Sequence, residues 1–278
     1  MKHAYLILAH NNFEVLSRLV AELDDIRNDI FIHVDARVSG FPRVKTKDSG
    51  VFYLERRLKT YWGHISLLKA ELELLRTALD SGEYDYLHII SGTHFPLKSQ
   101  DSIDAYFSDS EYESVVQPAV VGENEAMMKF GAYHLFVRGL YNGRKTSDLY
   151  NVLWRICLRL QCGWLHRNMD FLTEKASQWC SLTRDDAAEL LRQEKNVVRR
   201  FRNTFCCDEY FITYFFNRYG IKYRKENRLL YVDFMKANPK FLTDDDYGRM
   251  MESGCLFARK IADSDIGLID RICQSTHI

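Results

Sequence analysis

The chain has 278 residues, enough for one large α/β domain or two small ones. Its 38 Lys and Arg residues equal its 38 Asp and Glu residues, so a nucleic acid or an anionic lipid could be held only by a local patch. We therefore expect no nucleic-acid partner. The hydrophobic content of 46% and the charged content of 27% are typical of a soluble globular enzyme. The sequence has no internal repeat and no Gly/Ser linker, which favours one domain.

The seven cysteines are odd in number and irregular in spacing, with no CxxC pair and no zinc-type cluster. This usage predicts free thiols in a reducing compartment. The apolar run at residues 4–9 is too short for the core of a signal peptide or for a membrane span. We therefore expect a cytoplasmic protein without a transmembrane segment, and peripheral membrane contact stays open.

A βαβ unit is predicted at the N-terminus. Residues 5–9 form a continuous apolar run typical of a strand buried on both faces, residues 13–23 have a helical apolar face, and residues 29–34 form a second strand. His10 and Asp35 follow the two strands, so both are expected at the carboxyl edge of an open parallel sheet, where ligands bind. No GxGxxG follows the first strand, which disfavours a dinucleotide-binding variant.

The end of a further buried strand, residues 84–90, bears on metal binding. Many nucleotide-sugar transferases have Asp-x-Asp at such a strand end to hold a divalent metal, whereas this chain has Ser91 and Thr93. The acidic runs 244–246 and 263–265 follow no buried strand, and we interpret them as helix starts or solvated turns. If the chain is such a transferase, we expect no metal and no other cofactor. Positive side chains would then have to neutralise a leaving diphosphate.

The other predicted elements are spread along the rest of the chain. Strands are expected at 51–54, 114–118, 176–182 and 229–232, and helices at 65–79, 103–107, 149–160, 244–251 and 266–273, with another that ends at 191. Arg155 and Arg159 lie four residues apart on one side of the 149–160 helix. Such a face is more often solvated, but it could meet a lipid headgroup or an acceptor substrate.

An acidic pair in residues 205–216 is the candidate for the chemistry. Asp208 and Glu209 are expected in the first turn of an aromatic helix, where Asp208 suits an N-cap or first-turn position because its oxygens can accept backbone N–H groups. Glu209 would be half-desolvated by the aromatic side chains, which makes a carboxylate a better proton acceptor. On these residues alone, a helix cap with a solvated Glu is the simpler interpretation.

Seven segments, in order and with suitable spacing, resemble a known family. The family comprises the core-2/I-branching β-1,6-N-acetylglucosaminyltransferases and the peptide O-xylosyltransferases (glycosyltransferase family 14-like), with many bacterial members. The segments are residues 4–10, 32–35, 61–63, 87–97 (LHIISGTHFPL), 177–184 (SQWCSLTR), 207–209 and 256–260 (LFARK). We identify the chain as similar to a bacterial-type member of this family.

The resemblance implies a GT-A-like α/β fold, which is a Rossmann-related, mostly parallel sheet flanked by helices. It further implies a single domain over residues 1–278, with a nucleotide-binding part at about 1–118 and an acceptor and catalytic part at about 119–278. The implied activity is an inverting, metal-independent transfer of a sugar, GlcNAc or xylose, from a UDP-sugar to a hydroxyl of a glycan, forming a β-glycoside. A lipid-linked oligosaccharide acceptor would suit a cytoplasmic enzyme at the inner face of the membrane.

The resemblance also implies roles for individual residues. Glu209 matches the general base, and Lys240 and Lys260 match the two basic residues that bind the diphosphate. The remaining implied contacts are Ala9, His10, Asp35 and Trp62 for the nucleotide, and Thr93, His94, Trp179 and Asp208 for the sugar and the acceptor. The chain departs from animal relatives at His94, where they often have an acidic residue, and it lacks the cysteine framework of the secreted enzymes.

Two other interpretations follow from the sequence. One is a non-catalytic protein that binds a sugar nucleotide or a glycan on the same scaffold, although the intact Asp208-Glu209 pair argues against it. The other is an unrelated α/β enzyme with Cys207 as its nucleophile, although no nearby histidine is identifiable as a partner.

Overall fold

The computed structural model describes residues 1–109, 111–120, 122–141, 144–161, 174–235 and 238–276. Twelve strands lie in these ranges. They are β1 His3–Ala9, β2 Asn28–Val34, β3 Gly50–Tyr53, β4 Tyr86–Ser91, β5 His94–Pro96, β6 Ser114–Ala119, β7 Lys175–Thr183, β8 Tyr223–Lys225, β9 Leu230–Val232, β10 Phe234–Met235, β11 Asn238–Pro239 and β12 Phe257–Arg259.

The helices alternate with the strands through most of the chain. They are α1 Phe13–Glu22, α2 Ser66–Ser81, α3 Gln100–Ser108, α4 Glu123–Phe130, α5 Arg144–Gln161, α6 Arg184–Arg192, α7 Glu194–Phe201, α8 Phe211–Tyr219, α9 Tyr247–Glu252 and α10 Ile266–Thr276. Short 3-10 helices precede α5, α8, α9 and α10.

The central sheet has seven strands in the order β3-β2-β1-β4-β7-β6-β8. Only β7 runs antiparallel to its neighbours; every other pairing in this sheet is parallel. β1 and β4 are buried along their whole length, as expected of strands covered by helices on both faces. The prediction of a Rossmann-related, mostly parallel sheet flanked by helices is therefore confirmed.

The ends of β1, β2 and β4 lie side by side at the carboxyl edge of this sheet. The amide of Asp35 donates to the carbonyl of Ala9 (2.9 Å), and the amide of Gly92 donates to the carbonyl of Leu8 (2.9 Å). A Cβ atom on Gly92 would lie 3.2 Å from that of Ala9, so a side chain at this point would push the two strand ends apart by a few tenths of an ångström.

A second sheet of three strands, β5-β12-β9, lies beyond this edge. β12 pairs with β5, which places Arg259 opposite His94. The amide of Ile261 donates to the carbonyl of Thr93 (3.1 Å), and the amide of Leu242 donates to the carbonyl of Lys260 (2.7 Å). These bonds bring the C-terminal basic residues to the end of β4, far from them in sequence.

Several element predictions need correction. The predicted 149–160 helix begins at Arg144. Helices α4 and α7 were not expected, because each spans only eight residues and carries charges of both signs. The acidic pair lies in the 3-10 helix Cys207–Glu209, before α8 and not within it. The acidic runs Asp244–Asp246 and Asp263–Asp265 do begin helices, as expected.

Two further findings concern cysteines and membrane spans. The six cysteines in the described ranges form no disulfide, in line with the predicted free thiols, and Cys162 lies outside those ranges. No helix that the structure describes combines the length and the apolar character needed to cross a bilayer.

Candidate active site

The loop that carries the acidic pair is fixed by the segment before α2. Gly63 has a φ of +66°, and a Cβ atom there would lie 2.5 Å from the ring of Phe205. The Gly63 carbonyl accepts a hydrogen bond from the amide of Cys206 (2.9 Å), and the ring of Trp62 meets Phe205 edge-on at 5.3 Å. Trp62 and Gly63 therefore support the loop, and Trp62 itself is 53% exposed.

Asp208 is not a helix cap, contrary to the sequence expectation. Tyr210 occupies the N-cap position of α8 and makes no side-chain capping bond, and Asp208 is buried. Its Oδ1 has no hydrogen-bond partner in the described structure. Desolvation, reinforced by the neighbouring charge of Glu209, raises the pKa of Asp208 to about 7. The 3-10 turn directs this carboxyl group into the protein and away from the helix amides.

Glu209 is paired with two ammonium groups, which the sequence did not predict. Its Oε2 lies 2.9 Å from Nζ of Lys129 and 3.3 Å from Nζ of Lys175. Glu125 completes a ring of charges, at 2.8 Å from Lys129 and 3.1 Å from Lys175. The aromatic side chains of α8 are packed in the core, and Glu209 lies in the 3-10 turn ahead of that helix.

The two oxygens of Glu209 have different surroundings. Both lysines contact Oε2, and no described residue donates a hydrogen bond to Oε1. The side chain is 30% exposed. One oxygen is thus held in place by two charges from α4 and β7, while the other can meet a ligand.

A group of partly satisfied polar side chains lies next to the acidic pair. The guanidinium of Arg259 lies 4.7 Å from the ring centroid of Trp179, and the ring of His94 meets Trp179 edge-on at 4.9 Å. Desolvation, opposed by the charge of Asp208, lowers the pKa of Arg259 to about 10. Burial and the charge of Arg259 lower the pKa of His94 well below its usual value, so the imidazole is neutral.

The buried atoms of this region that have no hydrogen-bond partner among the residues described include Glu71 Oε2, His94 Nε2, Asp208 Oδ1 and Arg259 Nε. His94 Nδ1 accepts the amide of Ser91 (3.0 Å), so the proton of the neutral ring is on Nε2, which is an unused donor. Buried polar atoms normally have partners, so a cluster of unpaired ones needs an explanation. A ligand rich in hydroxyl groups would satisfy both the donors and the acceptors.

Lys260 and Lys240, the two predicted diphosphate ligands, have different environments. Lys260 forms no ion pair with any residue of the described ranges; its Nζ lies 4.9 Å from the ring of Phe241. Desolvation and the charge of Arg259 lower its pKa. Lys240 is held by Asp233 (3.0 Å) and Asp246 (2.8 Å), so its charge is already balanced.

Asp35 has a structural function at the end of β2. Its two oxygens accept five hydrogen bonds from the amides and side chains of Arg37 and Thr60, at 2.6–2.9 Å. Burial opposes ionisation, but these bonds lower the pKa of Asp35 below its usual range. The carboxylate thereby fixes the loop before Trp62. Contact of Asp35 with a nucleotide stays a prediction.

The remaining predicted residues lie along the same edge. His10 follows β1 at the surface, and partial desolvation and the charge of Lys260 lower its pKa, so these two side chains share one electrostatic environment. Ala9 is buried at the end of β1. The Thr93 hydroxyl is 3.0 Å from that of Ser91. The structure therefore brings together the ends of β1 and β4 and the strand β12, which carries Arg259.

The sequence analysis did not predict Glu71, Lys129 or Lys175 as residues of this site. It included Arg259 only as part of the segment 256–260 and did not predict its contact with Trp179. Glu71 could have been found, because it interrupts the apolar stripe of α2 and is fully buried there. Lys129 gave no signal, because α4 itself was not predicted.

Two alternatives can be compared with the geometry. Burial raises the pKa of the Cys207 thiol well above its usual value, which opposes its use as a nucleophile. In the described ranges, no group of three or more His, Cys, Asp or Glu side chains is arranged to hold a metal ion.

The fold is that of an α/β protein in which the ends of several parallel strands meet at the carboxyl edge of one sheet. The family model for the Core-2/I-Branching enzyme matches residues 3–249, and the chain belongs to that family. The protein is therefore a glycosyltransferase that acts on glycans, and its sheet is consistent with a GT-A-like fold. None of the curated proteins matches the chain significantly. The matched range ends before residues 256–260, which contain Arg259 and Lys260.

The buried Glu71 predicts a dependence of stability on pH. Desolvation raises its pKa to about 8, so the folded state keeps this proton up to that pH, whereas an unfolded chain releases it near pH ~4.3. The free energy of unfolding should therefore fall between these values, by at most about 1.4 kcal/mol per pH unit from this group. Urea denaturation of Glu71→Gln should show a shallower fall than the wild type.

The surface variant Glu83→Gln is the control, since Glu83 is 84% exposed. It should keep the wild-type slope. Equal slopes for Glu71→Gln and the wild type would show that Glu71 is ionised in the folded protein.

Proposed function

We propose that the protein is an inverting glycosyltransferase that uses a UDP-sugar and needs no metal. The observation that carries this proposal is the Glu209 carboxylate, which has Oε2 fixed by Lys129 and Lys175 and Oε1 unengaged by described residues. A base must be held within hydrogen-bond reach of the proton that it removes, and this arrangement supplies such a group.

In the proposed reaction, Glu209 Oε1 accepts the proton of an acceptor hydroxyl while that oxygen attacks the anomeric carbon. The bond from that carbon to the UDP oxygen breaks on the opposite face, so an α-linked donor gives a β-glycoside. Lys129 and Lys175 act as positioning residues that keep Glu209 in one orientation.

The leaving UDP carries negative charge that the protein must stabilise. Lys260 and Lys240 are the proposed ligands, with Arg259 adjacent to Lys260 in the chain. Lys260 is the better placed, since no ion pair with a described residue competes for it. Lys240 would have to share its charge with Asp233 and Asp246.

The rest of the edge would hold the other parts of the substrates. We assign the nucleotide to Ala9, His10, Asp35 and Trp62, and the sugar and acceptor to Thr93, His94, Trp179 and Asp208. The unpaired atoms of His94 and Asp208 support this assignment, because sugar hydroxyls both donate and accept hydrogen bonds. GlcNAc and xylose are the proposed sugars, with a glycan or a lipid-linked oligosaccharide as acceptor at the inner face of the cytoplasmic membrane.

The base assignment predicts that Glu209→Gln lowers kcat by roughly 100- to 10,000-fold, the usual contribution of one positioned base. Binding of UDP, measured by calorimetry, should stay unchanged because the variant keeps the shape of the side chain. Glu174→Gln is the control, because Glu174 is paired with Lys225 at the surface. Near wild-type turnover in Glu209→Gln would remove Glu209 as the base.

The proposed independence from metal ions predicts that transfer continues at the full rate in EDTA. Activity is measured with UDP-GlcNAc and UDP-xylose before and after chelation, with added Mn²⁺ and Mg²⁺ as the comparison. Loss of transfer in EDTA and its recovery with either ion would contradict the assignment of the diphosphate to lysines.

The diphosphate assignment predicts that Lys260→Ala weakens UDP binding by about tenfold or more, the effect of one charge-assisted hydrogen bond. Lys240→Ala should have a smaller effect, because two carboxylates already balance that ammonium group. Lys225→Ala, at a surface ion pair, is the matched control. Unchanged UDP affinity in Lys260→Ala would exclude Lys260 from the site.

A further inference from the structure

Helix α5 exposes an apolar stripe to solvent. The exposed fractions are 61% for Leu149, 54% for Val152, 46% for Ile156 and 66% for Leu160. Their spacing of three, four and four residues puts all four on one face of the helix. Single exposed apolar side chains are ordinary, but an aligned row of large ones indicates a surface that binds a membrane or another protein.

Positive charge accompanies this stripe. Arg155 and Arg159 are exposed beside it, and neither forms an ion pair with any residue of the described ranges. The sequence of α5 has four basic residues and one acidic residue, Asp148, which gives a formal charge of +3 in a chain whose total is zero. The charge and the apolar surface are thus concentrated on the same helix.

The opposite face of α5 is attached to the loop of the acidic pair. Trp154 Nε1 donates to Nδ1 of His134 (3.1 Å), and both rings contact Phe205, at 5.5 Å and 5.4 Å between centroids. Phe205 directly precedes the Cys206–Glu209 loop. The helix is therefore held on the protein by its Trp154 face and presents its aliphatic face outward, the reverse of an ordinary surface helix.

We propose that α5 is a membrane-docking helix that lies in the headgroup region of an anionic bilayer. The aliphatic stripe enters the acyl boundary, and Arg155 and Arg159 contact lipid phosphates. An apolar stripe with cations along one side fits an anionic membrane surface better than a protein partner, for which the arginines would need matching carboxylates. Docking itself is independent of the proposed function. Its consequence, that the Glu209 loop faces a lipid-linked acceptor, rests on that function.

The test is flotation of the full chain with vesicles of phosphatidylglycerol and phosphatidylcholine, compared with phosphatidylcholine alone. We expect binding to the anionic vesicles that weakens as salt is added. The double variant Leu149→Glu/Ile156→Glu should lower the partition coefficient at least tenfold. Ile26→Glu, at an exposed apolar residue outside α5 (78% exposed), is the matched control and should bind as the wild type does.

A second variant separates charge from apolar contact. Arg155→Gln/Arg159→Gln should weaken binding to anionic vesicles, and its binding to neutral vesicles should equal that of the wild type. Thermal unfolding checks that each variant is folded. The proposal is overturned if the wild type binds neither kind of vesicle, or if the Leu149→Glu/Ile156→Glu variant binds as the wild type does. It is also overturned if the wild type is a dimer or larger oligomer, the variant is a monomer, and the two bind vesicles equally.

The outcomes also separate docking from catalysis. Leu149→Glu/Ile156→Glu should keep its transfer rate on a water-soluble acceptor, so failed docking leaves the proposed function intact. Vesicle binding by a protein without transfer activity would contradict only the proposed function.

Discussion

The ring of charges around Glu209 is the constraint on which the site depends. Lys129 from α4 and Lys175 from β7 both contact Glu209 Oε2, and Glu125 balances them at 2.8 Å and 3.1 Å. Three segments that are far apart in sequence are joined at one carboxylate. Without the lysines, a partly exposed Glu would sample several rotamers, and the orientation of Oε1 would be lost.

In the proposed function, this ring holds the base beside the carboxyl edge of the sheet. The ends of β1 and β4 lie at that edge, and Arg259 of β12 and the following Lys260 are brought to it by the pairing of β12 with β5. Unpaired buried atoms on Asp208 and His94 are costly in an unliganded protein, and these are groups to which the proposed function assigns the sugar and the acceptor. The same loop is packed through Phe205 on α5, which links the site to the exposed apolar stripe.

The sequence predicted most of the sheet because buried parallel strands leave continuous apolar runs, and β1, β2 and β4 lie where these runs are. Asp208 and Glu209 were found as a pair, but their surroundings were not. The 3-10 turn that turns Asp208 inward has no distinct sequence pattern, and the partners of Glu209 come from α4 and β7. Ion pairs between distant segments depend on how the chain packs, which periodicity does not reveal.

The most direct test of the central claim is a crystal structure with UDP and an acceptor oligosaccharide bound. The account predicts the acceptor hydroxyl at about 2.6–3.2 Å from Glu209 Oε1, the range for proton transfer, with Oε2 still contacted by Lys129 and Lys175. The β-phosphate should lie against Lys260. An acceptor hydroxyl placed away from Glu209, or a cation bridging the two phosphates, would contradict the account.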